Sequence, residues 1–407
     1  MISYCFYRVV FVSDGMKLCW AACLVLLGAA FGAAAAPYIP KDDSVVLETL
    51  PSKPTDPGAA ELRQLRAAVA SAPGDAGPAA RLARRYFDLA MAEGDPRYVG
   101  YAEAALRAWP ETAAAPAEML ILHGMLRQYR HDFPRAMADF DLALKIEPAS
   151  TEARAWRAAI LMVQADYPAA RRECELLAEH ATELHATACT GYIDATTGHA
   201  RSAYERLAAA LARRSDVNPE FHAWIQTRLA EMAWRFGDFA AAEKHFRKGL
   251  ELGVDDNFLL AAYADFLLER GRAAEVVPLL KKWVRSDTLL LRLALAAKEL
   301  KLAEGQKYTQ TLGDRFSDAG LRGEKLHLQE EARYLLDLKG DARAALATAI
   351  ENYRTQREPR DALVLIEAAL AARDRAAAAP ALQWLESTGF ESARIHDAAA
   401  KLKALQP

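Results

Sequence analysis

The most reactive side chains in this 407-residue chain are five cysteines, which fall into two groups. Cys5, Cys19 and Cys23 lie in an apolar N-terminal stretch, and only Cys174 and Cys189 remain beyond it. These two sit on separate predicted helices that neighbour each other antiparallel. An oxidising compartment would let them close a disulfide; the alternative is two buried thiols acting as small apolar residues. They lack the close pairing of zinc ligands, and no metal or other cofactor is expected. His180 and His185 are five residues apart, about 140° around a helix, too far to share an ion, and read as a solvated helix end. The neighbouring carboxylates Asp139 and Asp141, or Asp255 and Asp256, read as caps and solvated charges rather than an acid/base pair. There is no HExxH, no GxSxG and no Gly-rich loop closed by Lys. No catalytic residue is therefore assigned.

Charge and composition narrow the partners. A formal charge of −3 is far from the concentrated basic excess of a nucleic-acid binder. Gly and Pro together number 39, below one residue in ten, which excludes collagen-like and low-complexity chains. Residues 16–36 read as a secretory signal: Lys17 is the basic flank, Leu18 to Phe31 the apolar run, and Ala33–Ala35 the cleavage site. The run is shorter than the ~20 residues of a membrane span. An uncleaved anchor is the alternative, and Met16 is an alternative start. Neither Cys19 nor Cys23 has the flanking residues of a lipoprotein site. The expected division is a signal peptide over 1–35, a Pro-rich extended leader over 36–57 and a helical array over 58–407, degenerate from about 288. The Ala- and Arg-rich composition suits a bacterial chain, soluble in the periplasm after cleavage, with no stable membrane span. Its oligomeric state is left open.

What must position any site is a periodic series of turns. They fall near Gly94, His131, Ala165, Gly198, Gly237, Gly271, Gly305, Gly340 and Arg373, at intervals of 37, 34, 33, 39, 34, 34, 35 and 33. Gly suits the left-handed conformation that ends a helix, and an Asp follows in six cases to cap the next. Packing positions travel with the turns. Residues 117–148 carry Gly124, Ala136, Phe140, Ala143 and Pro148 at spacings of 12, 4, 3 and 5. The 12, 4, 3 spacing returns in Ala158/Ala170/Cys174/Leu177, Gly191/Ala203/Leu207/Ala210, Ala230/Ala242/Phe246/Gly249 and Ala264/Val276/Leu280/Trp283.

This pattern resembles the tetratricopeptide repeat (TPR), a helix–turn–helix unit of about 34 residues. The resemblance covers roughly 76–388 and implies an all-α, right-handed superhelical solenoid of about nine helix pairs. Capping helices are expected over 58–71 and 391–405. The outer units depart from the pattern: Tyr86 and Tyr98 hold the small positions of the first, Lys298 and Gln310 those around Gly305. Around Gly340 and Arg373 the register slips by one residue, with helices expected at 329–338, 343–353, 361–372 and 376–387. Residues 213–222 read as a lengthened surface loop.

Resemblance further implies that the first helix of each pair lines a concave groove. Carried onto this chain, groove positions include Gln128, Tyr129, Tyr192, Trp224, Glu231, Trp234, Arg235, Phe258 and Asp265. Rigid aromatics among charges suit a protein or peptide partner. Ile121 and Met125 stand where a carboxylate clamp needs Lys and Asn, so that specialised function is not expected. The expectation is a non-catalytic adaptor that holds a segment of another envelope protein, such as a transporter or assembly complex. The alternatives are an enzyme or enzyme-accessory subunit with a site in the drifted C-terminal units, where His327, Glu330, Arg333 and Asp337 make a charged face, and a structural spacer.

Overall fold

The computed structural model describes residues 57–109, 112 and 114–405. The expected signal peptide and nearly all of the leader lie outside the described residues. The chain divides into two units, Met1–Ala59 and Ala60–Pro407, and the helical array is the second.

Local signals set the helix ends. Eight of the nine expected turns carry a residue at positive φ, including His131 at 58°, Ala165 at 61° and Arg373 at 58°. The Asp that follows then caps the next helix through its side chain: Asp132, Asp166, Asp238 and Asp341 each accept from the backbone N–H three residues on. Such a cap contributes about 1 kcal/mol to each helix start.

The helices are α1 (Pro57–Ser71), α2 (Ala76–Glu93), α3 (Arg97–Leu106), α4 (Ala117–Tyr129), α5 (Phe133–Ile146), α6 (Thr151–Val163) and α7 (Tyr167–Ala178). Next come α8 (Glu183–Thr196), α9 (Ala200–Ala212), α10 (Pro219–Arg235), α11 (Phe239–Glu251), α12 (Asn257–Glu269), α13 (Ala273–Leu280), α14 (Asp287–Glu299) and α15 (Gly305–Leu321). The last are α16 (Leu328–Arg333), which runs on as a π-helical turn over Tyr334–Lys339, then α17 (Ala342–Thr355), α18 (Pro359–Ala372), α19 (Ala379–Thr388) and α20 (Ala393–Lys403). From α2 to α19 they form successive TPR-like helix pairs, an all-α superhelical array, with α1 before it and α20 after it. Each pair stacks on the next because one pair cannot bury its apolar face alone.

The small positions act by letting helices approach. A Cβ on Gly124 would lie 2.6 Å from the Phe140 ring, and that ring is fully buried. Ala136, Ala170, Ala203 and Ala242 are likewise fully buried, beside Phe140, Cys174, Leu207 and Phe246. In the first unit the two tyrosines replace small residues by stacking on each other, ring centroids 6.3 Å apart, while Arg66 of α1 donates to the Tyr86 hydroxyl at 2.6 Å.

Two expectations need correction, and a third gains its cause. The seventh turn is at Lys301, φ 54°, not Gly305, which instead opens α15 against Ala297. Two more residues separate Lys301 from that helix than separate Gly237 from α11, so the buried Leu312 takes the place held by Phe246 in α11. The register slip near Gly340 has its cause in the π-helical turn, which absorbs one additional residue without breaking the helix. Residues 219–222 are not loop: Pro219 and the Asn218 cap start α10 early and make it 17 residues long.

The array also closes on itself. The backbone N–H of Arg357 donates to Val163 at 2.7 Å. Trp384 of α19 donates to the Tyr167 hydroxyl at 2.7 Å, and Glu391 accepts from the N–H of Ala200, the first residue of α9, at 2.7 Å. Gly198 leaves room for the carbonyl of Gly389, which a Cβ would meet at 3.1 Å. At the other end, the Gly94 turn sits against Ser286 and Asn257. The last units therefore rest on the turns of units far earlier in the chain. No described helix is long and apolar enough to cross a membrane.

Candidate partner-binding groove

The first helices α8, α10 and α12 lie side by side and carry a continuous run of aromatic and guanidinium groups. It begins at His185, stacked on Phe221 with centroids 4.3 Å apart, and continues from Phe221 to Trp224 at 6.0 Å. Trp224 meets Tyr192 edge-on at 6.3 Å. Arg228 then sits among three rings, its Cζ 4.2 Å from the Phe258 centroid, 4.8 Å from Tyr192 and 5.5 Å from Trp224. Arg360 lies over the same Phe258 ring at 5.2 Å.

Helical spacing explains the line. Phe221, Trp224, Arg228 and Glu231 recur at three or four residues on α10 and so share a face. Arg228 is only 5 % exposed, and Glu231 pairs with it at 2.9 Å. Burying a cation this deeply is tolerable because Glu231 neutralises it and the ring faces attract it. Its Nε donates to no group among the described residues. Tyr192, Trp224 and Phe258 are half-buried, so each ring keeps an edge available. Burial pushes the Tyr192 hydroxyl up to about 12, so it stays a neutral donor.

The other expected groove residues are distributed around this strip. Trp234 donates to Glu269 at 2.7 Å and packs edge-on against Phe266. Arg235 donates to the carbonyl of Ala195 at 3.0 Å and lies over Phe390 at 4.7 Å, where burial pulls its guanidinium down from the ordinary range. Gln128 and Tyr129 end α4, away from the strip. The Tyr129 hydroxyl is pushed up to about 12 by burial, with the Asp95 and Asp287 carboxylates adding to it.

Asp265 is the centre of a buried ion network. Arg292 donates to it at 2.7 Å and Arg333 at 3.0 Å, and Glu330 lies 3.8 Å from Arg292. Burial alone would raise the Asp265 carboxyl, but the two guanidiniums overcome this and hold it at about 2. Burial lowers Arg292, whereas Arg333, also buried, is raised by Asp265 and Asp337. Both stay cationic, because a guanidinium keeps its proton far above neutral pH. Glu330 and Arg333 thus point inward rather than forming a solvated face, and both are committed to ion pairs.

Cys174 and Cys189 join α7 to α8, with a disulfide across Cα atoms 5.6 Å apart. Asp194, one turn beyond on α8, takes Arg171 of α7 and Arg206 of α9 on its two oxygens. Asp139 differs from its expectation: it is buried and takes a 2.5 Å bond from Arg127, so only Asp141 of that pair is solvated. Asp256 caps α12, accepting from Leu259 at 2.8 Å. His185 is exposed as expected, yet its ring is stacked. An open cavity of about 430 Å³ lies elsewhere, between α3 and α4 at Leu106, Trp109 and Leu126. Its charged rim is occupied by the Arg130–Glu103 and Arg127–Asp139 pairs. Among the described residues no group of three or more His, Cys, Asp or Glu is placed to hold a metal ion.

Sequence reasoning missed Phe221, Arg228, Glu358 and Arg360. The first two were visible as the Phe–x2–Trp–x3–Arg–x2–Glu spacing on one helix face. The last two reach the strip only through closure of the array.

No protein-family model matches the sequence, and no curated protein matches it. Solved structures do. A chain of the APC/C hetero-tetramer Cut9–Hcn1 is similar at 13 % identity and a TM-score of 0.46 over 82 % of this chain, which spans 64 % of that one. Yeast Tom70 is similar at 13 % identity and 0.40 over 86 % of this chain and 78 % of its own. The TPR domain of P58(IPK) gives 12 % identity and 0.23 over 85 % of this chain and 98 % of its own.

Proposed function

We propose that this protein is a non-catalytic interaction scaffold, exported to the bacterial periplasm, whose first helices hold a segment of another envelope protein. The observation that carries the reading is the half-buried strip Phe221–Trp224–Tyr192–Phe258 with Arg228 at its centre. Such rings bury large area on a partner at small entropic cost, and a desolvated Arg adds polar specificity. A membrane transporter or an assembly complex is the kind of partner such an adaptor serves. The export step rests on the sequence of residues 16–36.

The chemistry of the drifted C-terminal units supports a scaffold over an enzyme. An active site there would need titratable groups left available in one hollow. Instead Asp265, Arg292, Glu330 and Arg333 neutralise one another in the packed interior.

The test is capture from envelope extract with the wild-type protein and a Trp224→Ala/Trp234→Ala variant. The reading expects a discrete partner that the wild type retains and the variant loses at least tenfold. Equal recovery by both removes the groove assignment.

A further inference from the structure

The helix that carries the strip is tied to its two neighbours by a chain of hydrogen bonds through two histidines. The Tyr204 hydroxyl on α9 is 3.0 Å from Nε2 of His245 on α11. Nδ1 of that same imidazole is 2.7 Å from the amide oxygen of Gln226 on α10. The Gln226 amide nitrogen is in turn 3.0 Å from Nε2 of His222, one turn back on α10. Gln226 is buried, whereas Tyr204, His245 and His222 are half-buried. Both ends of the chain therefore keep access to solvent protons, and its middle does not.

The chemistry of the members gives each bond a direction. An amide oxygen only accepts, so His245 carries its proton on Nδ1 and accepts from Tyr204 at Nε2. An amide nitrogen only donates, so Nε2 of His222 accepts and that ring is neutral. A second arrangement satisfies the same contacts in the opposite sense. A proton on Nε2 of His222 makes it a donor, and it then faces another donor. A half-turn of the Gln226 amide removes the conflict by presenting oxygen to His222 and nitrogen to His245. His245 must then accept at Nδ1, hold its proton on Nε2 and donate to the Tyr204 oxygen, while the Tyr204 O–H turns to water. The balance is one proton gained from solvent, on Nε2 of His222. His245 gives one proton up from Nδ1, takes one on Nε2 and stays neutral.

The charges around the chain favour this order of events. Lys248 of α11 lies near both rings, and Lys244 and Asp238 lie near His245. From α9 the group facing His245 is Tyr204, since Arg201 of that helix lies over Phe236 at 4.3 Å. α12 meets α11 with an apolar side chain, Leu259, at Gly249. On the other side α8 meets α10 through His185, stacked on Phe221 and near Arg214. Burial pulls His222 below the ordinary 6.5, with Lys248 adding to it. Burial pulls His245 down to about 4, with Lys248 and Lys244 adding, so acid that reaches His222 finds His245 still neutral. We propose that Tyr204–His245–Gln226–His222 is a proton-sensing relay, in which one proton taken up by His222 in mild acid reverses every bond of the chain. The reversal passes the pH of the surroundings from α10 to α9 without carrying charge through the interior. It goes beyond the scaffold reading and stands whether or not the strip binds a partner.

The test is a titration of the full chain labelled with nitrogen-15 histidine, followed by long-range proton–nitrogen correlation spectra from about pH 8 to about pH 5. These spectra report which ring nitrogen of each histidine holds the proton, and His222→Phe and His245→Phe variants assign the two rings. In the wild type His245 is expected to be protonated on Nδ1 at the alkaline end and on Nε2 at the acid end. That exchange should share one midpoint, below 6.5, with proton uptake by His222. In His222→Phe the His245 ring should keep one tautomer throughout, and in Gln226→Met His222 should titrate with His245 unmoved. A wild-type His245 that holds its tautomer while His222 titrates overturns the proposal. So does the absence of proton uptake by His222 across the range, or an exchange of tautomer in His222→Phe at the wild-type midpoint. The wild-type titration decides even where a variant fails to fold.

Discussion

Replacing Asp265 by Asn tests whether the C-terminal units are joined to the middle of the array by charge as well as by packing. The change keeps the size of the side chain and removes only its charge. Arg292, 3 % exposed, and Arg333, 11 % exposed, would then share a buried site without the carboxylate that both contact. The pKa of Asp265 bounds the loss. Against the pull of burial, the two guanidiniums hold that carboxyl at about 2, below the ordinary 3.8, which is stabilisation on the order of 2–3 kcal/mol at neutral pH. Leaving two guanidiniums mutually exposed brings the expected cost to about 3–5 kcal/mol. In an array of this size that lowers the melting temperature by roughly 4–7 °C. Differential scanning calorimetry on the full chain is the assay, and Asp397→Asn is the control. Asp397 pairs with Lys401 on the surface, both more than 60 % exposed, and its loss should leave the melting temperature within a degree or two. An Asp265→Asn/Arg333→Gln double variant should be less destabilised than the sum of the single changes, because removing one cation relieves the other. An Asp265→Asn melting temperature indistinguishable from the wild type's would refute the reasoning.

Other predictions concern the helix crossings, acid stability and the disulfide. Gly124→Ala should destabilise by about 1–3 kcal/mol, because its Cβ would press on a Phe140 ring that has nowhere to go. Gly191→Ala, at the same position two units on, meets nothing within 4 Å and should instead stabilise by ~0.5–1 kcal/mol, both read from urea midpoints. Because the folded pKa of Asp265 lies below its unfolded value, its contribution is present above about pH 4 and is lost as the pH falls from there toward 2. The acid-unfolding midpoint of Asp265→Asn should accordingly show less pH dependence in that window than the wild type. Intact mass without reductant should find Cys174 and Cys189 bonded in exported protein, two mass units below the dithiol, and free thiols at both would end that assignment.

Much of the fold was legible because its determinants are local. A left-handed turn residue and an Asp cap need only their immediate neighbours, so eight turns could be placed from sequence. Lys301 escaped because it adopts the left-handed conformation despite its Cβ, while Gly305 nearby offered a more permissive residue that the chain uses for helix packing instead. The π-helical turn at Tyr334–Lys339 was legible only as a slip in register, without its cause. Asp139 looked solvated beside Asp141 because its partner Arg127 lies on the facing helix, 12 residues back. The strip divides in the same way. Trp224 and Tyr192 were reachable from repeat positions, and Arg228 from helical spacing. Glu358 meets Tyr192 across 166 residues, and no periodic signal encodes how tightly the array closes.

The claim that recognition occurs along this strip is tested most directly by site-specific photocrosslinking in intact cells. A photoreactive phenylalanine is placed at Trp224 on the strip and, in a second protein, at Arg213 in the loop that leaves α9. The account predicts a discrete higher-mass adduct from position 224 and none from position 213. An adduct from position 213 with none from 224 would contradict it.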